Sequence, residues 1–206
     1  MRGEPFLLTL VENPTHFFQW AIIIVVSICL HELGHGLAAI YEGDDTPIRM
    51  GHMTWNPVVH MGVQSLVFLL VAGIAWGAMP VNPSKFRSAY GDVIVSAAGP
   101  ATNLAIALVC AFIVNLALAF GYPNALVPTL NFLAFAAQVN IVLCLFNLLP
   151  IPPLDGYHVF SKFFPELRSI EGTPFAFAAL FILFFTGLFS GLWDLADWVI
   201  RLLINT

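Results

Sequence analysis

The sequence predicts an all-α polytopic membrane protein, and three observations carry that reading. Of its 206 residues, 59% are hydrophobic and only 9% are charged, against about a quarter in soluble domains. The mean hydropathy is +0.88. The apolar residues also come in long runs, separated by short polar or Pro- and Gly-containing turns. A single integral membrane domain over residues 1–206 is expected, with no appended soluble domain. The net charge of −5 is scattered and forms no basic stripe, so no nucleic-acid partner is expected. Cys29, Cys110 and Cys144 lie in apolar runs without a C-x-x-C, and read as small buried hydrophobes.

Residues 17–40 form the first long helix candidate, closed by the polar turn Tyr41-Glu42-Gly43-Asp44-Asp45. No A-x-A-like cleavage site follows its apolar run, so no cleavable signal is expected. Residues 46–62 read as a loop, with Pro47, Pro57, His52 and His60. Residues 63–79 are apolar but short, with Gly73 and Gly77 inside. Pro80-Val81-Asn82-Pro83 is a turn. Residues 93–120 form the second long run, punctuated by Gly99-Pro100, and 130–149 the third. Pro150, Pro152 and Pro153 then break the helix before Asp155-Gly156. A C-terminal helical segment over about 174–204 is either one tilted span or a span plus an amphipathic helix after Gly191.

His31-Glu32-Leu33-Gly34-His35 sits inside the first run. Two histidines four apart lie on one helix face, one turn from each other. Both imidazoles can bind one zinc, with Glu32 beside them to take a proton from water. A plain helix whose two histidines face a polar neighbour is the alternative. Ionisable groups at membrane depth are costly and usually functional, which counts against it. Catalytic zinc ordinarily takes three protein ligands. Asp155, after the proline-broken end of a span, is a candidate third. A capping Asp-Gly turn after a span is the alternative. His52 and His60 are rivals, and His16 and His158 weaker ones.

Three motifs in order decide among these readings: His31-Glu32-Leu33-Gly34-His35, Ala98-Gly99-Pro100-Ala101-Thr102-Asn103, and Phe146-Asn147-Leu148-Leu149-Pro150-Ile151-Pro152-Pro153-Leu154-Asp155-Gly156. Together they resemble the site-2 protease family of intramembrane zinc metalloproteases. The resemblance covers a three-helix catalytic core over about residues 17–160. It implies one zinc ion per chain held by His31, His35 and Asp155, with Glu32 as general base. It also implies that Asn147 places the substrate or stabilises the oxyanion, and that Asn103 has a supporting polar role. Asn56-Pro57-Val58-Val59-His60 and Pro80-Val81-Asn82 are similar to stretches of a compact prokaryotic branch without PDZ-like or nucleotide-sensing modules.

A ligand set drawn from the first and third long runs constrains topology. His35 and Asp155 must lie at similar depth, so both spans exit on one face. Residues 93–120 are long enough to cross. Residues 63–79 therefore cannot also cross, and are expected to form a short extended or re-entrant hairpin bending at Gly73 or Gly77. Lys85, Arg87, Lys162 and Arg168 favour the cytoplasm. The expected setting is a prokaryotic inner or plasma membrane, with the active site toward the cytoplasmic face.

The implied activity is proteolysis of a single-span membrane protein or membrane-associated peptide. An extended substrate segment is expected to pair with exposed backbone of residues 46–62 or 150–155. Gly34 and Gly36 are expected to permit close packing beside the metal. The alternatives are a metal-ion transporter or metal-binding scaffold, and an inactive family member that binds membrane helices. The lack of a ligand ladder through other spans speaks against the former, the intact Glu32 against the latter. The oligomeric state is not legible.

Overall fold

A computed structural model describes residues 6–170, 172–173, 178–179, 182–183 and 187–204. All regular structure among the described residues is helical. Three helices are long and apolar enough to cross a membrane. The chain packs as two compact units, Met1–Arg87 and Ser88–Thr206.

The first unit opens with a 3-10 turn, Phe6–Leu8, and a short helix, α1 (Thr9–Glu12). The side chain of Asn13 then caps the amide of His16 and Pro14 takes the first helical position. From there α2 (Pro14–Tyr41) runs 28 residues without a break. The segment expected to be a loop contains a single-turn helix, α3 (Thr46–Arg49), and the start of α4 (Pro57–Ala72). Asn56 and Pro57 start α4 in the same way as Asn13 and Pro14 start α2.

Of the two candidate bends in the apolar hairpin, Gly73 is the one used. It ends α4 in the left-handed region (φ 74°, ψ 8°), where a side chain is disfavoured. Its carbonyl accepts from Trp20 Nε1 at 2.9 Å, which fixes the bend against α2. The chain then returns as an irregular stretch, neither helix nor strand, over residues 74–82. Ser65 Oγ bonds both the amide and the carbonyl of Trp76. The Ala78 amide donates to the His60 carbonyl at 2.9 Å. Residue 78 thus lies beside residue 60, and the segment doubles back on α4 as a hairpin. α4 is also kinked at Gly62.

A buried carboxylate closes this unit. Asp44 is fully buried and accepts from Thr46 and from the amide of Asn82. Lys85 bonds Asp45 at 2.7 Å and lies 3.5 Å from Asp44. The Arg87 amide donates to the Glu42 carbonyl. The polar turn after α2 is therefore a socket for the end of the hairpin.

The second unit is built on α5 (Gly91–Phe120) and α6 (Val127–Asn147). Pro100 sits inside α5 without ending it. Leu108, Phe112, Leu116 and Phe120 recur every four residues and are all exposed, a stripe suited to lipid. The opposite face carries Asn103, wholly buried, whose amide donates to Asn140 Oδ1 on α6 at 3.0 Å. After α6 the chain turns through Ile151 to Leu154 and enters α7 (Asp155–Ser161). Of the expected C-terminal segment, α8 (Leu188–Leu203) is described. It packs its Ile200 and Leu203 side near Ala111, Val114 and Leu130, and Asn115 donates to the Leu203 carbonyl. Asp197 and Arg201 pair one turn apart on it, as an amphipathic helix requires. The remainder of the expected 174–204 segment lies outside the described residues.

Candidate metal centre

The helical spacing of His31 and His35 has the predicted effect. Their Nε2 atoms are 3.0 Å apart, with the rings edge to face. Both residues are buried, as is Glu32 between them. Two ring nitrogens converging on one point inside an apolar helix match zinc's preference for imidazole. One turn of α2 therefore presents two donors and a carboxylate.

The irregular return of the hairpin is what packs against this turn. A Cβ on Gly77 would overlap the Glu32 carboxylate and stand 2.8 Å from both Glu32 Cγ and Ile28 Cγ2. Only glycine allows the segment to run this close. Gly36 plays a parallel part: a Cβ there would meet Met53 Sδ at 2.6 Å and Met79 at 3.1 Å. The close neighbour that Gly36 permits is a loop and the irregular return rather than a helix.

His52 and His60 lie in the same unit, with ring centroids 6.2 Å apart. His60 Nε2 contacts the Thr54 carbonyl at 2.7 Å. The His52 ring lies against the backbone of Ala78. Burial, with the neighbouring His60, pushes the His52 imidazole below its ordinary range.

In the second unit, Asp155 is the first residue of α7. The glycine after it is obligatory. A Cβ on Gly156 would run into the backbone carbonyls of Leu148 and Leu149. The chain leaving α6 therefore folds back directly onto its own end. Asn147, the last residue of α6, donates to the Leu143 carbonyl at 3.0 Å. Asn103 meets Asn140, seven residues before Asn147, in a contact that ties α5 to α6.

Sequence reasoning named Gly77 only as a possible bend, not as a neighbour of Glu32, and missed Asp44 and Asn140. Asn140 had a visible signal, a polar residue in an apolar run. Gly77 and Asp44 had none, because their partners lie about 40 residues away along the chain.

The sequence profile of peptidase family M50 matches residues 19–127 and 122–190. A Bacillus subtilis protein named "Putative zinc metalloprotease YwhC" is 36% identical over 177 residues, 82% of this chain and 81% of its own. A Methanocaldococcus jannaschii protein similarly named as a zinc metalloprotease, MJ0611, is 36% identical over 79% of this chain and 83% of its own. The Mycobacterium tuberculosis protein Rip2 is 33% identical over 77% of this chain, which spans 62% of Rip2. No solved structure matches. With its three spans, its histidine pair and these relatives, the chain belongs to peptidase family M50, the site-2 protease family of multi-pass membrane proteins.

Proposed function

We propose that the protein is an intramembrane zinc metalloprotease that cleaves single-span membrane proteins or membrane-associated peptides, the reaction of regulated intramembrane proteolysis. The observation that carries this is the buried His31–Glu32–His35 turn, with its two ring nitrogens 3.0 Å apart inside a helix long and apolar enough to cross a membrane. His31, His35 and Asp155 would hold the zinc, offering two imidazole nitrogens and one carboxylate oxygen. When bound, the ion supplies Lewis-acid polarisation of the scissile carbonyl and lowers the pKa of water.

Glu32 takes the proton from the attacking water and passes it to the leaving amine. Its placement between the ligands suits that task, and Gly77 restricts where its carboxylate can sit. Asn147 would supply a donor to the oxyanion after releasing the Leu143 carbonyl.

A helical substrate must be extended before its carbonyls can be reached. The two stretches expected to template it are poorly suited. Residues 46–62 are largely helix and turn. In 150–155 the prolines lack donors, while the Ile151 and Leu154 amides are bonded locally. Residues 74–79 fit better. The Trp76 and Ala78 amides face α4. The amides of Ala75, Gly77 and Met79 have no acceptor among the described residues. That edge would receive the substrate by strand addition.

Glu32→Gln tests the reading. The purified parent should contain one zinc per chain and cleave a single-span substrate in detergent or liposomes. The variant should keep its zinc and lose at least about a hundredfold in rate. Cleavage unchanged by the substitution would refute the assignment. Ion flux without cleavage in both proteins would make it a transporter.

A further inference from the structure

We propose that His52 and His60 are positioning residues, which hold the 74–79 segment over Glu32 through a ring of contacts centred on Ala78. This rests on the protease reading for its consequence in catalysis, though not for its geometry.

The ring can be followed contact by contact. The Ala78 amide donates to the His60 carbonyl at 2.9 Å. The His60 ring donates from Nε2 to the Thr54 carbonyl at 2.7 Å. The Thr54 amide donates to the His52 carbonyl at 2.9 Å. The His52 ring returns to lie against the backbone of Ala78. The Ala78 backbone is therefore bonded by the main chain of His60 and met by the side chain of His52.

The two imidazoles suit this role. Each leaves Nδ1 buried without a hydrogen-bond partner. A hydrogen there would be a buried, unsatisfied donor, which favours the tautomer with the hydrogen on Nε2. That tautomer is the one the His60–Thr54 bond requires. His60 is almost wholly buried, too deep to act as a surface acid or base.

Ala78 is one residue from Gly77, and Gly77 is the residue that touches Glu32. A segment free to move by an ångström would leave room for the Glu32 carboxylate to turn away. Displacements of that size cost up to about a hundredfold in rate. The same segment carries the proposed substrate edge, so the ring would align base and substrate together. This gives Asn56-Pro57-Val58-Val59-His60 a physical purpose: Asn56 and Pro57 start α4, and His60 on its first turn reaches back to the Thr54 carbonyl.

The test uses the full-length protein with His52→Ala, His52→Gln, His60→Ala and His60→Gln. Glutamine can place an amide donor near the position of imidazole Nε2. Hydrogen–deuterium exchange of the 74–80 segment reads the ring directly. Exchange at Ala78 should quicken about tenfold in both alanine variants and return toward the parent in the glutamine variants. Zinc content should stay at one per chain in all four. On a single-span model substrate, kcat should fall about tenfold or more in the alanine variants and recover with glutamine, with KM moving less.

Unchanged exchange in the alanine variants would overturn the ring. Zinc loss from them would also overturn the proposal, because the histidines would then be acting on the metal. Faster exchange with unaltered kcat would overturn their part in catalysis. If the parent shows the exchange pattern but cleaves nothing, the protease reading fails while the ring stands.

Discussion

Asp44 shows how much one side chain can organise at the mouth of this unit. Burial alone would push its carboxyl upward, but the bonds from Thr46 and Asn82 and the charge of Lys85 outweigh it and hold the carboxyl below its ordinary range. Folding therefore favours the charged form. The stabilisation is complete above the ordinary carboxylate pKa of about 4 and is lost as pH falls through the lower folded value. Asp45, lowered chiefly by its bond with Lys85, works in the same direction. Melting in detergent between pH 7 and pH 3 should show the parent losing stability at the acid end. Asp44→Asn should melt lower than the parent at pH 7 and close much of that gap by pH 3. An equal gap at both pH values would contradict this. At the same scale, sequence and structure part company for a definite reason. His31, Glu32 and His35 were legible because their chemistry depends on spacing along a single helix. Asp44 read as a polar turn residue because its partners, Asn82 and Lys85, lie about 40 positions downstream.

At the scale of elements, the long helices were legible from their apolar runs, and their starts carry visible Asn-Pro signals. The irregular segments were less so. Residues 46–62 hide a helical turn and the first turn of α4, because Pro47 and Pro57 open helices there rather than interrupt a loop. Pro100 inside α5 shows the opposite ambiguity, a proline that does not end its helix. The turn between α6 and α7 depends on Gly156, where a Cβ would run into the backbone of Leu148 and Leu149. Gly156→Ala should cost about 3 kcal/mol and lower the melting temperature by roughly 6–12 °C. Gly191→Ala is the control. It lies in open space within α8 and should be neutral or slightly stabilising. Equal melting of the two variants would remove the packing argument.

At the scale of the whole molecule, the three candidate spans among the described residues and the doubled-back hairpin give a definite topology test. The positive residues Lys85 and Arg87 follow the hairpin and favour the cytoplasm. Single cysteines placed at Glu12 and Asn82 should then label from opposite faces, Glu12 from outside and Asn82 from the cytoplasm. Labelling of both from the cytoplasmic face alone would show that the hairpin crosses. The segment after Gly73 also has an energetic consequence for substrate choice. An amide without an acceptor is expensive in a lipid-like setting, and unwinding a substrate helix creates the same deficit on the other partner. Pairing the two cancels both, so extension of the substrate becomes an exchange of hydrogen bonds rather than a loss of them. The remaining cost is the substrate's own reluctance to leave the helix. Selectivity should accordingly follow local helix weakness, with Gly, Pro or β-branched residues near the cut, more than any particular side chain.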